Sequence, residues 1–75
     1  MPTLRIYPGV YRHFKGGIYS VLAVARHSET DEHFVCYEGR DVNDMPTYWV
    51  RPLSMFCESV EHNGRTVQRF TRVIP

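Results

Sequence analysis

Lysine is nearly missing from this chain: Lys15 stands alone beside eight arginines. Alanine and leucine together supply five of 75 residues, too few to build a long amphipathic helix from strong helix formers. The two cysteines, Cys36 and Cys57, cannot make a disulfide framework, and they are expected to be reduced, small and partly buried. No apolar run exceeds Val21 to Ala25, five residues against the roughly 20 that a membrane-spanning helix needs, so no membrane partner is expected. The opening Met1-Pro2-Thr3-Leu4-Arg5 has no apolar h-region, and the chain is expected to be cytoplasmic. A net charge of +1 argues against both a basic nucleic-acid tail and a polyacidic mimic.

What is present is β-sheet material. Valine, isoleucine and threonine make 17 of the 75 residues, and 13% are aromatic. With 43% apolar residues the chain has the composition of a folded protein, and its length allows a single domain, residues 1–75 with a core over about 9–74. Charge is unevenly spread. Residues 1–28 hold four cations and no acid, and residues 29–44 hold six acids against Arg40.

Turn signals divide the chain into short strands. Pro8-Gly9 precedes a strand from Gly9 to Phe14, and Lys15-Gly16-Gly17 breaks it. Ile18 to His27 is apolar at both odd and even positions, as in a strand buried on both faces or one bending around a small barrel. The polar segment Ser28 to Glu32 leads to a returning strand, His33 to Glu38, and residues 39–46 form an eight-residue polar loop. Thr47 to Arg51 surrounds Trp49 and ends at Pro52, and Leu53 to Phe56 suits one helical or 3₁₀ turn. Asn63-Gly64, between Ser59–His62 and Arg65–Ile74, is the strongest short-range hairpin signal in the chain. Five or six short antiparallel strands with one helical turn predict an all-β fold, a small SH3-like barrel, with an OB-fold as the runner-up. The basic strand Ile18–His27 and the acidic strand His33–Glu38 are then hairpin partners, and much of the charge asymmetry should neutralise across the sheet.

Several strings resemble a known family. These are Tyr11-x-His13-Phe14-Lys15-Gly16-Gly17-x-Tyr19, then Ala25-Arg26-His27-Ser28-Glu29-Thr30, then Trp49-Val50-Arg51-Pro52-Leu53, and last Arg69-Phe70. Together they are similar to the small bacterial proteins grouped as domain of unknown function sixteen-fifty-three. The resemblance implies an SH3-type barrel and brings no activity with it. The loop over residues 39–46 is longer than the family often has.

Four constellations bear on chemistry. His33-x-x-Cys36 has a ligand-like spacing, but residues three apart on a strand face opposite ways, so no metal site and no cofactor are expected. His27-Ser28-Glu29 has the residue types of a triad, yet neighbours in a hairpin loop diverge, whereas a triad converges from distant segments. Lys15-Gly16-Gly17 offers at most a weak anion contact, lacking the spacing and helix of a phosphate loop. Arginine beside aromatic residues is the fourth, since guanidinium stacks on rings and grips carboxylate or phosphate. On this basis the chain reads as a non-catalytic binding module rather than an enzyme. Its candidate surface is His13, Lys15, Arg26, His27, Ser28, Glu29, Trp49 and Arg51. Its partner is a protein segment or a nucleotide or RNA fragment. The opposing reading is that the rings fill the core while Arg26 and Arg51 pair with Glu29, Glu32 or Glu38. A reading from another class is a small enzyme or accessory subunit using His27 or Glu29 in acid–base chemistry. Monomer or weak homodimer is the expected state.

Overall fold

A computed structural model describes residues 5–74. The first four residues, on which the expectation of a cytoplasmic chain largely rests, lie outside the described residues. The elements in chain order are β1 (Gly9–His13), β2 (Ile18–Arg26), β3 (His33–Arg40), β4 (Pro46–Pro52), α1 (Leu53–Phe56), β5 (Ser59–His62), β6 (Arg65–Gln68) and β7 (Phe70–Ile74). Strands β1 to β4 form an antiparallel meander, and β7 returns to pair with β1, giving the sheet order β4-β3-β2-β1-β7. Strands β5 and β6 make a separate two-stranded sheet.

The all-β expectation holds, with two differences. There are seven strands rather than five or six, and the two sheets do not close into a barrel. The extra strand arises at Arg69. The expected single strand Arg65–Ile74 bends there, so that β6 stays with β5 while β7 joins β1. The Arg69 N–H donates to the Glu58 carbonyl (3.0 Å), its own carbonyl accepts from Phe14 N–H (2.9 Å), and its guanidinium pairs with the Glu58 carboxylate (2.8 Å). This corner fastens the small hairpin to the large sheet.

The core is mostly aromatic. Tyr11, Val21, Val35, Tyr37, Phe56 and Phe70 are buried, and Ile6, Tyr19 and Leu53 pack against them. Phe56 and Phe70 stack with centroids 4.0 Å apart, and Tyr11 and Tyr37 meet Phe56 edge-on at 5.6 Å. The single turn α1 begins after Pro52 without a side-chain cap and buries only Phe56, so its contribution is to deliver that ring. The buried Tyr11 hydroxyl is satisfied: it donates to the Tyr7 carbonyl (3.0 Å) and accepts from Arg72 (3.3 Å).

Strand β2 departs from the expectation of burial on both faces. Its register against β3 shifts between Val21 and Ala23, making Leu22 an extra residue. Only Val21 is buried; Leu22, Ala23, Val24 and Ala25 are exposed. The loop expected over residues 39–46 is also shorter, because β3 continues to Arg40 and β4 starts at Pro46. The Asp41 carboxylate closes it, accepting from the N–H groups of Asn43 (2.8 Å) and Met45 (3.0 Å). Asn63 and Gly64 form the expected tight hairpin, both at positive φ (53° and 76°).

Candidate functional site

The pairing of β1 with β2 and of β3 with β4 brings side chains from all four strands together on the inner face. Tyr11 opposes Tyr19, and Tyr37 opposes Trp49. With a period of two, His13, Tyr19, Tyr37, Trp49 and Arg51 all project inward, where Phe70 of β7 meets them. These six residues line a cavity of about 160 Å³. Pockets for drug-sized ligands run roughly 300–1,000 Å³, so this one has room for a single ring or side chain.

Its walls are aromatic. Tyr19, Tyr37 and Phe70 meet pairwise edge-to-face at 5.5 to 5.9 Å, and His13 meets Phe70 at 5.0 Å. Trp49 is 52% exposed at the rim. Two glycines make room for Tyr19. A Cβ at Gly39 would stand 2.6 Å from Tyr19 Cε1, and one at Gly17 would stand 3.0 Å from Tyr19 Cε2. Gly39 is buried within β3; it resembles a loop residue in the sequence but is there for close approach.

The polar groups of the pocket are all donors or neutral. Arg51 is half-buried, and its Nε lies 3.4 Å from the Tyr37 hydroxyl, a weak bond. The ion pairs of the described residues are Arg26–Asp31 and Arg69–Glu58, so Arg51 has no carboxylate partner among them. His13 Nδ1 accepts from the Lys15 N–H (3.1 Å), which leaves the ring proton on Nε2. Burial, together with the cations of Arg51, Arg69 and Lys15, holds the His13 pKa below its ordinary 6.5. No carboxylate lines the cavity.

The eight candidate residues do not share one surface. His13, Trp49 and Arg51 line the aromatic pocket, and Lys15 lines a larger groove beside it. Arg26 and His27 lie at the far end of β2, seven residues from Tyr19, or roughly 23 Å at about 3.3 Å per residue. There they border an outward-facing apolar depression with Ala25, Phe34, Cys36 and Val50. The turn that follows is built from local bonds. His27 Nδ1 accepts from the N–H groups of Glu29 (3.1 Å) and Thr30 (3.3 Å), and Thr30 Oγ1 accepts from Glu32 N–H (3.2 Å). Arg26 Nε donates to Asp31 (2.6 Å), not to the glutamates expected of it. Ser28 and Glu29 are exposed. The neutralisation expected between β2 and β3 therefore reduces to one ion pair at their turn.

Sequence reasoning missed Tyr19, Tyr37 and Phe70 as pocket walls. The available signal was cross-strand parity, which needed a register to be read. Among the described residues no group of three or more His, Cys, Asp or Glu side chains could hold a metal ion. Cys36 and Cys57 are free and half-buried, and burial pushes the Cys57 thiol pKa up. No described helix is long and apolar enough to cross a membrane.

Residues 9–72 match the family described as "Protein of unknown function (DUF1653)". The chain belongs to the DUF1653 family. A crystal structure of a DUF1653 protein from Bordetella bronchiseptica superposes with a TM-score of 0.80 at 37% identity, covering 91% of this chain and 87% of that one. No curated protein matches the chain. The family is the one the sequence resembles, and it adds no assigned activity.

Proposed function

We propose that this DUF1653 chain is a non-catalytic binding module whose site is the pocket of His13, Tyr19, Tyr37, Trp49, Arg51 and Phe70. It is built on an SH3-like arrangement, in which a four-strand meander, one helical turn and a last strand return to the first. The observation that carries this reading is the pocket's chemistry: aromatic walls beside an arginine with no carboxylate partner among the described residues. A guanidinium beside aromatic rings suits a planar group bearing negative charge. Binding is favoured over catalysis because no cysteine, serine or carboxylate lines the cavity, and His13 Nδ1 is already bonded. The acid–base alternative at His27 and Glu29 fits less well, since His27 Nδ1 is committed to the turn amides.

Trp49 is the chain's only tryptophan and stands at the pocket rim, so its fluorescence reports occupancy. Uridine 5′-monophosphate should quench and shift Trp49 emission saturably, and Arg51→Met should weaken that response about tenfold or more. Quenching that never saturates, or that Arg51→Met leaves unchanged, would contradict the pocket as the site. An acidic peptide with one aromatic residue serves as the protein-segment comparator, and tighter binding of that peptide would assign the pocket to protein.

A further inference from the structure

His13 belongs to two depressions. On one side it lines the aromatic pocket; on the other it lines a groove of about 430 Å³ between the β1–β2 turn and strands β6 and β7. Arg12, Lys15 and His62 bring basic groups to that groove, and Gln68 and Thr71 bring uncharged polar ones. No aspartate or glutamate lines either depression. Three of the eight acids are held elsewhere: Asp31 by Arg26, Glu58 by Arg69, and Asp41 in its own loop. A chain with a net charge of only +1 keeps a carboxylate-free track made of two depressions that share His13.

The track changes character along its length. Its first part is a slot for one ring, walled by Tyr19, Tyr37 and Phe70 with Trp49 at the rim. Its second part is more open and basic, and there the Lys15 ammonium sits 5.7 Å over the Phe14 ring, which His62 meets edge-on at 5.1 Å. At the junction His13 is held with Nδ1 accepting, so its Nε2–H is the proton available to a ligand. A ligand matching this order has a planar ring followed by a chain of anionic groups.

Resting on the reading that the aromatic pocket binds, we infer that the ligand is single-stranded nucleic acid. One base enters the pocket against Trp49, and the phosphodiester backbone crosses His13 into the groove of Arg12, Lys15 and His62. Base stacking on aromatic side chains is tolerant of sequence, and a basic groove beside it follows the backbone. Strong sequence preference is therefore not expected. Acidic peptides match the groove's charge but not the requirement for a ring at one end and evenly spaced anions after it.

The test compares uridine 5′-monophosphate with a 5′-phosphorylated uridine trinucleotide, following Trp49 fluorescence. The trinucleotide should bind at least tenfold more tightly. With three phosphates engaged, its affinity should fall roughly tenfold to twentyfold between 50 and 200 mM salt. The double variant Arg12→Met, Lys15→Met should abolish the trinucleotide's advantage and leave the mononucleotide unchanged. Trp49→Phe keeps a ring and Trp49→Ala removes it, so both are followed by the Nε2-side chemical shift of His13; the alanine variant should lose roughly five- to hundredfold in affinity and phenylalanine less. Equal affinity for the two nucleotides would overturn the track while leaving the pocket as a site. No binding of either, with saturable binding of an acidic aromatic peptide, would overturn the nucleic-acid assignment and keep the pocket. No saturable binding of any of the three would remove the pocket reading itself.

Discussion

Gly39 decides whether the pocket exists. It is buried near the end of β3, and a methyl group there would meet the Tyr19 ring at 2.6 and 2.8 Å. The Tyr19 ring cannot step aside freely, since it is packed against Tyr37 and Phe70 and faces Gly17 across its other edge. Gly39→Ala should therefore destabilise the fold by about 1–3 kcal/mol, the range for overpacking a filled site. Chemical denaturation checks the value, and an unchanged midpoint would show that Tyr19 is not confined. In the sequence Gly39 sits beside Arg40, Asp41, Asn43 and Asp44, where glycine looks like turn chemistry. Its packing role becomes visible only once β2 and β3 are in register.

His13 is the residue whose ionisation the pocket controls. Its pKa is held below 6.5 by burial first and then by Arg51, Arg69 and Lys15, while Glu58, the nearby acid, is already paired to Arg69. A histidine with a depressed folded-state pKa binds its proton more readily when unfolded. Its contribution to stability is then complete above the unfolded value near 6.5 and is lost as pH falls through the folded-state value. NMR titration of the His13 ring should give a midpoint below the ordinary histidine value of 6.5, and His13→Gln should flatten the fall in stability on this acid limb. A midpoint at or above 6.5 would contradict the cationic surroundings described for it.

At the scale of elements, α1 is the least conspicuous piece and the most consequential. Four residues cannot hold a helix by propensity; what holds it is Phe56, 1% exposed and stacked on Phe70. Phe56→Ala should cost about 3–5 kcal/mol. At roughly 0.05–0.15 kcal/mol per residue a chain of this length has about 4–11 kcal/mol in total, so that loss is a large share of it. Thermal unfolding should accordingly show a variant largely unfolded near 37 °C, and a loss under 1 kcal/mol would mean that α1 is an ornament on the sheet. The helical turn, the hairpin at Asn63-Gly64 and the meander of four strands were legible because each has a local signal: Pro52, a positive-φ pair, and turn residues between apolar runs. The bend at Arg69 was not, since it interrupts a run of strand formers without proline or glycine. It is fixed by long-range bonds to Glu58 and Phe14 that no local pattern contains.

For the whole molecule, the pattern of charge is more informative than its sum. The basic first third and the acidic middle were expected to cancel across β2 and β3, which lowered the expectation for an anionic partner. Instead three of the acids, Asp31, Glu58 and Asp41, clamp two arginines and close a loop, and the two depressions that share His13 are lined by none. Three of the eight candidate residues, His13, Trp49 and Arg51, meet in the pocket because strand parity places them on one face. Arg26, His27, Ser28 and Glu29 looked equally functional as a string, and they turn out to be the hydrogen-bonded closure of a hairpin and its exposed tip. Composition cannot separate these two cases, because both use polar residues with spare donors; only the partners of those donors tell them apart.

The most direct test is a ¹H–¹⁵N NMR titration of the full chain with the 5′-phosphorylated uridine trinucleotide. The account predicts saturable shifts at Lys15, Tyr19, Trp49 (including its indole N–H) and Arg51, with the amides of Arg26 to Glu29 unmoved. Shifts gathered at the Arg26–Glu29 turn, or none at Trp49 and Arg51, would contradict it.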